Sequence, residues 1–290
     1  MELDACNRIY VIESLRDNDN KTGTKLYNNI LSQSWCISSK LYIVEDKKGW
    51  DDAINLIKED CSTIGVSPII HLEIHGSELG IGLADGSFIS WEDVGWDFKK
   101  INKLCCCNLL VTLAVCHGAW LVKAFSTITE LPFCGLIGSQ EAIYESDLVS
   151  RFTAFYQELS TNNNLQEAIN QLKSTGNPNA KYEVITAEEI FVNAYQGYIE
   201  KMCTPEALRQ RAIETAKYVN IKNNQQLECF ISQFIRIEKG TRLVKMQEFA
   251  RSYFLLDKFP NNAKKFSIPS TLEELKELAE KSSLRKRTNI

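Results

Sequence analysis

PIIHLEIHGSELG, residues 68–80, and NLLVTLAVCHGAW, residues 108–120, decide the fold between them. Each is an apolar run that stops at a reactive side chain followed by glycine: His75-Gly76 in the first, Cys116-His117-Gly118 in the second. A short apolar run bounded by turn residues reads as a buried strand of a parallel sheet. Ligands collect at the carboxyl ends of strands in such sheets. His75 and Cys116, about 40 residues apart, are therefore expected at one edge of one sheet. The three histidines of the chain, His71, His75 and His117, all fall in these segments.

Outward from this pair, Arg8–Glu13 (RIYVIE) and Lys40–Glu45 (KLYIVE) are rich in β-branched and aromatic residues and read as two more strands. Between them lie a polar loop, DNDNKTG (Asp17–Gly23), and a helical period over Thr24–Trp35, with Leu26, Tyr27, Ile30 and Leu31 on one side. Trp50–Cys61 repeats Ala53, Ile54, Ile57 and Cys61 at helical spacing. Between the two motifs, Leu79–Leu83 and Gly86–Ile89 suit a hairpin around Asp85-Gly86. Ser90-Trp91-Glu92-Asp93 then caps a helix to about Leu104, with Trp91 and Trp96 as packing residues. After Cys116 come a short helix (Ala119–Thr127), a fifth strand (GLIGS, Gly135–Ser139), helices over Asp147–Leu159 and Leu165–Leu172, and a sixth strand (YEVIT, Tyr182–Thr186).

From Ala187 onward strand signals nearly vanish. Thr204-Pro205-Glu206 marks a helix start, Lys239-Gly240 and Pro260-Asn261 read as breaks, and Ser270 opens a last charged helix. The expected architecture is α/β. A central, mostly parallel sheet of about six strands flanked by helices occupies residues 1–186, followed by a helical region, 187–290, packed on the sheet or forming its own bundle.

The formal charge of −4 argues against a nucleic-acid or membrane-surface binder, the basic tail Leu284-Arg285-Lys286-Arg287 apart. No run approaches the roughly 18 apolar residues of a membrane span. The opening MELDACNRIYVIE lacks the basic and apolar regions of a signal peptide, so a cytoplasmic protein is expected. The ten cysteines show no C-x-x-C spacing, and Cys105-Cys106-Cys107 lacks that of a zinc knuckle. Most are expected to be free thiols acting as small hydrophobes. Cys116 stands apart by position.

A cysteine attacks as thiolate, so it needs a base and donors for the oxyanion it creates. His75 on a neighbouring strand end can supply the base, and the backbone amides of Gly76 and Cys116 are candidates for the oxyanion hole. His71, Glu73 and His75 alternate with Ile70, Leu72 and Ile74 and so share one strand face. That face either makes buried hydrogen bonds or binds zinc with Cys116 as a further ligand. His117, turned away from Cys116, reads as structural.

A strand ending in His-Gly followed by one ending in Ala-x-Cys-x-Gly resembles the caspase-like (clan CD) cysteine peptidases. The likeness is nearest to the bacterial CHAT protease branch, related to separase. HLEIHGS (His71–Ser77) and LAVCHGA (Leu113–Ala119) carry it, GLIGSQEAIYESDLVSRFTAFYQEL (Gly135–Leu159) extends it, and it covers roughly residues 8–186. The resemblance implies a caspase-like fold and an endopeptidase acting on a protein substrate through a thioester acyl-enzyme, with no metal or other cofactor. Cys116 would be the nucleophile and His75 the general base, then the acid. It also implies an effector in antiviral defence, switched on by an activating protein or small-molecule signal, with the helices after Ala187 serving regulation or docking. The family's specificity pocket lies beside the cysteine strand and the loops after the following strands, where Glu141, Glu145 and Asp147 fall. A carboxylate there would select a basic residue before the scissile bond, although Asp147 is favoured as a helix cap over a pocket role. No linker stands out for self-processing, so activity without obligatory cleavage is expected. Two other classes compete: a catalytically silent caspase-like module that binds a partner, and a zinc-dependent hydrolase using His71, Glu73 and His75. No nucleotide-binding glycine loop is present.

Overall fold

The structure, a computed structural model, describes residues 6–29, 31, 37–125, 130–177, 181–282 and 284. Ile30, Trp35, Cys36, Thr127 and the tail residues Arg285, Lys286 and Arg287 lie outside the described residues. The chain divides into two compact units, Met1–Ser126 with Leu131–Ala187, and Thr127–Glu130 with Glu188–Ile290.

The first unit runs β1 (Arg8–Ser14), α1 (Thr22–Asn29), β2 (Ser38–Ile43), α2 (Lys47–Thr63), β3 (Pro68–Gly76), β4 (Gly80–Gly82), β5 (Phe88–Ser90), α3 (Trp91–Leu104) and β6 (Leu110–Ala114). A 3₁₀ helix (Gly118–Phe125), β7 (Gly135–Ser139), α4 (Glu145–Asn162), α5 (Leu165–Ser174) and β8 (Tyr182–Thr186) complete it. The main sheet has the order β2-β1-β3-β6-β7-β8. Its strands are parallel except for β8, which runs antiparallel to β7. The fold is thus α/β with a mostly parallel mixed sheet flanked by helices.

Strand placement follows burial. Ile9 to Ile12 and Val111 are fully buried because helices cover both sheet faces, the condition under which parallel strands read as continuous apolar runs. One face packs Ile9, Val11, Ala114 and Ile137 against Leu26 of α1 and Phe152, Phe155 and Tyr156 of α4. The other turns Tyr10 toward α2, where its hydroxyl donates to Asp60 Oδ2 at 2.8 Å. The alternation of strand side chains sorts these two sets.

Caps set the helix starts. Ser90 Oγ accepts from the Asp93 N–H at 3.1 Å, as its spacing predicts. Asp46 Oδ1 accepts from the Gly49 N–H at 2.7 Å, which starts α2 three residues before the apolar period at Trp50. The hairpin is shorter than the sequence suggests, and β4 pairs with the end of β3 as well as with β5. Trp91 is buried, but Trp96 is 52% exposed and packs its ring against the ammonium of the largely buried Lys99, 4.3 Å from its centroid. Among the described residues no helix is long and apolar enough to cross a membrane.

The second unit holds α6 (Ala187–Met202), α7 (Pro205–Tyr218), α8 (Asn224–Gly240), α9 (Arg242–Tyr253), α10 (Asn262–Lys265) and α11 (Leu272–Lys281). Phe191, Tyr195, Tyr253, Phe254 and Phe266 form its aromatic core, with ring centroids 4.8–6.2 Å apart. Thr204 caps α7 ahead of Pro205. The last helix is capped by Thr271, one residue after the expected start, while Ser270 bonds to the Glu274 carboxylate. Glu238, nearly buried, is held by Lys245 at 2.7 Å and Arg211 at 3.5 Å.

Candidate active site

Parallel strands deliver every strand-to-helix loop to one edge, and the pairing of β3 with β6 fixes which residues meet there. The rungs run from Ile69↔Leu110 to Glu73↔Ala114. Two residues further along each strand stand His75 and Cys116. Gly76 confirms the closeness: a Cβ built on it would lie 2.3 Å from the Cys116 carbonyl oxygen and 2.3 Å from Val115 Cγ1. Only glycine permits this approach, so the His-Gly half of the motif is a packing requirement of the Cys half.

His75 is 53% exposed, and its Nε2 lies 2.7 Å from Asp19 Oδ2. An ionised carboxylate only accepts, so Nε2–H donates and Nδ1 is left as the nitrogen that can take a thiol proton. The hydrogen bond from His75 holds the Asp19 carboxyl below its ordinary value. Asp19 is itself oriented by the Arg16 N–H at 2.7 Å, while its own N–H donates to the Arg16 carbonyl at 2.9 Å. Sequence reasoning left Asp19 inside a polar loop. The signal was its place after the first strand, since loops at the carboxyl ends of adjacent parallel strands converge.

Cys116 is half-buried at the turn between β6 and the 3₁₀ helix. The Ile143 N–H donates to its sulfur at 3.4 Å, and the thiol faces the Ile143 carbonyl at 3.9 Å. Among the described residues the Cys116 N–H makes no hydrogen bond, which suits it to a developing oxyanion. The next residue, His117, is left-handed with φ 58°. Its Nδ1–H donates to the Gln140 carbonyl at 2.8 Å and its N–H to the Glu141 carbonyl at 3.2 Å. His117 thus ties the turn after β6 to the loop after β7, the loop that delivers Ile143. Left-handed backbone at a non-glycine residue costs about 1–2 kcal/mol, and strain of this kind gathers at functional turns.

Glu141, Glu145 and Asp147, expected together beside a specificity pocket, go to three different surroundings. Glu141 is exposed next to the His117 tie. Glu145 is exposed at the start of α4, accepts from the Asn20 amide, and lines an open groove of about 780 Å³ with Lys25 and Tyr144. Asp147 is the correction. It is 5% exposed, accepts from Arg151 Nε at 2.7 Å and from the Asn177 N–H at 2.6 Å, and cannot reach a substrate. Nor does it cap α4, whose cap position is Tyr144.

His71 and Glu73 do not join His75 in a ligand set. Both are buried in a hydrogen-bonded chain that runs from Thr22 Oγ1 to Glu73 (2.7 Å), His71 Nε2 (3.2 Å), Thr112 Oγ1 (2.8 Å) and the Tyr156 hydroxyl (2.8 Å). The His71 ring packs edge-on against Phe152 and Tyr156. His75, by contrast, turns outward to Asp19.

One carboxylate, one imidazole and one thiol therefore lie at the carboxyl edge of the sheet. No family model matches the chain, and no curated protein matches it.

Proposed function

We propose that the protein is a cysteine endopeptidase of the caspase-like type that cleaves a protein partner with Cys116 as nucleophile. The supporting observation is the juxtaposition of His75-Gly76 with Cys116, with Asp19 on the outer nitrogen of His75. In this mechanism His75 Nδ1 takes the Cys116 proton and the sulfur attacks the scissile carbonyl carbon. The oxyanion is met by the Cys116 N–H, with the Gly76 N–H as second candidate. The imidazolium returns its proton to the amine nitrogen as the C–N bond breaks, leaving a thioester. Water, deprotonated by His75, then releases the acid. Asp19 holds the ring orientation and balances the imidazolium through both steps, the role a carboxylate plays in a triad.

On this reading the enzyme works in the cytosol, is switched by a protein or small-molecule signal, and uses the helices after Ala187 for docking or regulation. Selection for a basic residue before the scissile bond rests on Glu141 and Glu145 alone, since the Asp147 carboxylate is engaged by Arg151. Glu145 accepts from Asn20, which Lys25 bonds in turn, and shares the groove with Lys25, so that selection is weak.

Labelling of the native chain with an iodoacetamide probe at neutral pH, with peptide mapping, tests the reading. Cys106 and Cys229 are exposed thiols and serve as internal standards, whereas burial pushes the Cys6 thiol up to about 12 and removes it from competition. Cys116 should react far faster than both standards and lose that advantage in His75→Ala. Equal rates for Cys116 and the standards, unchanged by His75→Ala, would sink it in favour of a partner-binding module. A screen of fluorogenic peptides against wild type and Cys116→Ala then separates a peptidase from a merely reactive thiol.

A further inference from the structure

Glu13 and Glu73 are register partners on β1 and β3 and are only 2% and 3% exposed. Neighbouring parallel strands lie about 5 Å apart, so two carboxylates sit side by side away from water, an arrangement tolerated only with full hydrogen bonding. The first turn of α1 supplies it. Thr24 gives its N–H to Glu13 Oε2 at 2.9 Å and its hydroxyl to Glu13 Oε1 at 2.7 Å. Thr22 gives its hydroxyl to Glu73 Oε2 at 2.7 Å, and His71 closes the other oxygen at 3.2 Å. Between them Gly23 lies against both acids: a Cβ there would stand 2.9 Å from Glu73 Cγ and 3.0 Å from Glu13 Oε2. Thr22-Gly23-Thr24 fits the carboxylate pair as one unit, with the amino end of the helix favouring negative charge.

The segment that this unit anchors carries Asp19. Between Ser14, where β1 ends, and Thr22 the chain closes on itself: Lys21 Nζ bonds the Leu15 and Arg16 carbonyls, and Arg16 and Asp19 exchange two backbone-directed bonds. The Asp19–His75 pair is exposed, at 30% and 53%, and an exposed pair alone fixes little geometry. Its position has to come from its two anchors, the strand end and the threonine turn. We infer that Glu13 and Glu73, through Thr22, Gly23 and Thr24, form a buried clamp that positions Asp19 against His75 and so sets the reactivity of Cys116. This rests on the cysteine-peptidase reading. The clamp residues touch neither thiol nor substrate, so they position and do not catalyse.

The test uses the full chain and the ratio of Cys116 alkylation to that of Cys106 and Cys229, followed from pH 5 to 9. Thr24→Val keeps shape and N–H but removes the hydroxyl, Thr24→Ser restores it, and Gly23→Ala pushes the turn off the acids. Expected are losses in the ratio of about tenfold for Thr24→Val and Gly23→Ala, modest beside what misplacing a catalytic group can cost. The pH profile should match that of Asp19→Ala, with no further loss when Thr24→Val and Asp19→Ala are combined, and with recovery in Thr24→Ser. A wild-type profile in Thr24→Val alongside a reduced one in Asp19→Ala overturns the clamp, as does additivity of the two. So does faster labelling of the buried Cys107 and Cys134 with an unchanged Cys116 ratio, the mark of a role in folding alone. Should Thr24→Val not fold, Thr22→Val breaks the Glu73 side and is read by the same criteria. If wild type shows no His75-dependent advantage at all, the peptidase reading has failed and the clamp falls with it, an outcome distinct from the others.

Discussion

The two ends of the central sheet each carry a charged cluster, and they are built to opposite specifications. At the amino ends of the strands, Asp60 from α2 meets the Tyr10 hydroxyl at 2.8 Å, Lys40 Nζ at 2.6 Å and Arg8 at 3.5 Å. Burial raises the Asp60 carboxyl, but the hydrogen bonds from Lys40 and Tyr10 outweigh it and the net shift is downward. All three partners converge on Oδ2, so a hydroxyl and two cations share one carboxylate oxygen. At the carboxyl ends, His75 makes one hydrogen bond through Nε2, and Cys116 receives one N–H from Ile143. The Cys116 thiol in turn faces the Ile143 carbonyl at 3.9 Å, His75 keeps Nδ1 outside its bond to Asp19, and the backbone is left-handed at His117. The same sheet therefore separates a cluster closed around one carboxylate oxygen from a more open one, the one proposed to react.

Substitutions at the two ends should part company accordingly. The largest effect belongs to His75→Ala, which should lower the Cys116 alkylation advantage about 100-fold, the scale of a lost general base, with the urea midpoint unchanged. A drop in stability instead would place His75 in the structural class. Next, Asp60→Ala strands Arg8, Lys40 and Tyr10 and should cost about 2 kcal/mol, less than a fully buried pair because Lys40 is 42% exposed. Urea unfolding reads it, and the Cys116 labelling ratio should stay at the wild-type value. Asp19→Asn should reduce that ratio about tenfold while leaving unfolding near wild type, since it keeps shape but loses the charge beside the imidazolium.

The smallest difference is in acid. Asp60 and Asp19 are both depressed below 3.8, so each stabilises the fold above that pH and loses its contribution as pH falls through its lowered value. Asp60→Asn should flatten the acid limb of stability measurably, and Asp19→Asn much less, because its pair with His75 is solvated. Equal flattening would erase the contrast between the ends.

Much of this was legible in the chain. The β3 and β6 runs are continuous because both faces are covered, and the Ser90 cap needs only three residues to be recognised. The placement of His75 and Cys116 at the carboxyl ends of neighbouring strands was legible because both apolar runs give way to turns there. Asp19 was not, because its role depends on β1 lying next to β3, an order that no local pattern encodes. Asp147 misled for a related reason: Arg151 is one helical turn away, but the Asn177 N–H that completes the site arrives from 30 residues downstream. Carboxylates clustered in sequence separated in space, while Glu13 and Glu73, distant in sequence, came together.

The backbone around Cys116 also sets the course of evolutionary drift. A left-handed residue 117 accommodates glycine, asparagine, aspartate or histidine, and β-branched residues are excluded. At position 76 the Cys116 carbonyl excludes any side chain. These restrictions come from the fold and persist whether or not the chemistry does. On the peptidase reading, a lineage that abandoned catalysis would shed Cys116 or His75 first and carry Gly76 and a left-handed residue 117 onward, so those two positions record the fold and only the thiol and the imidazole record activity.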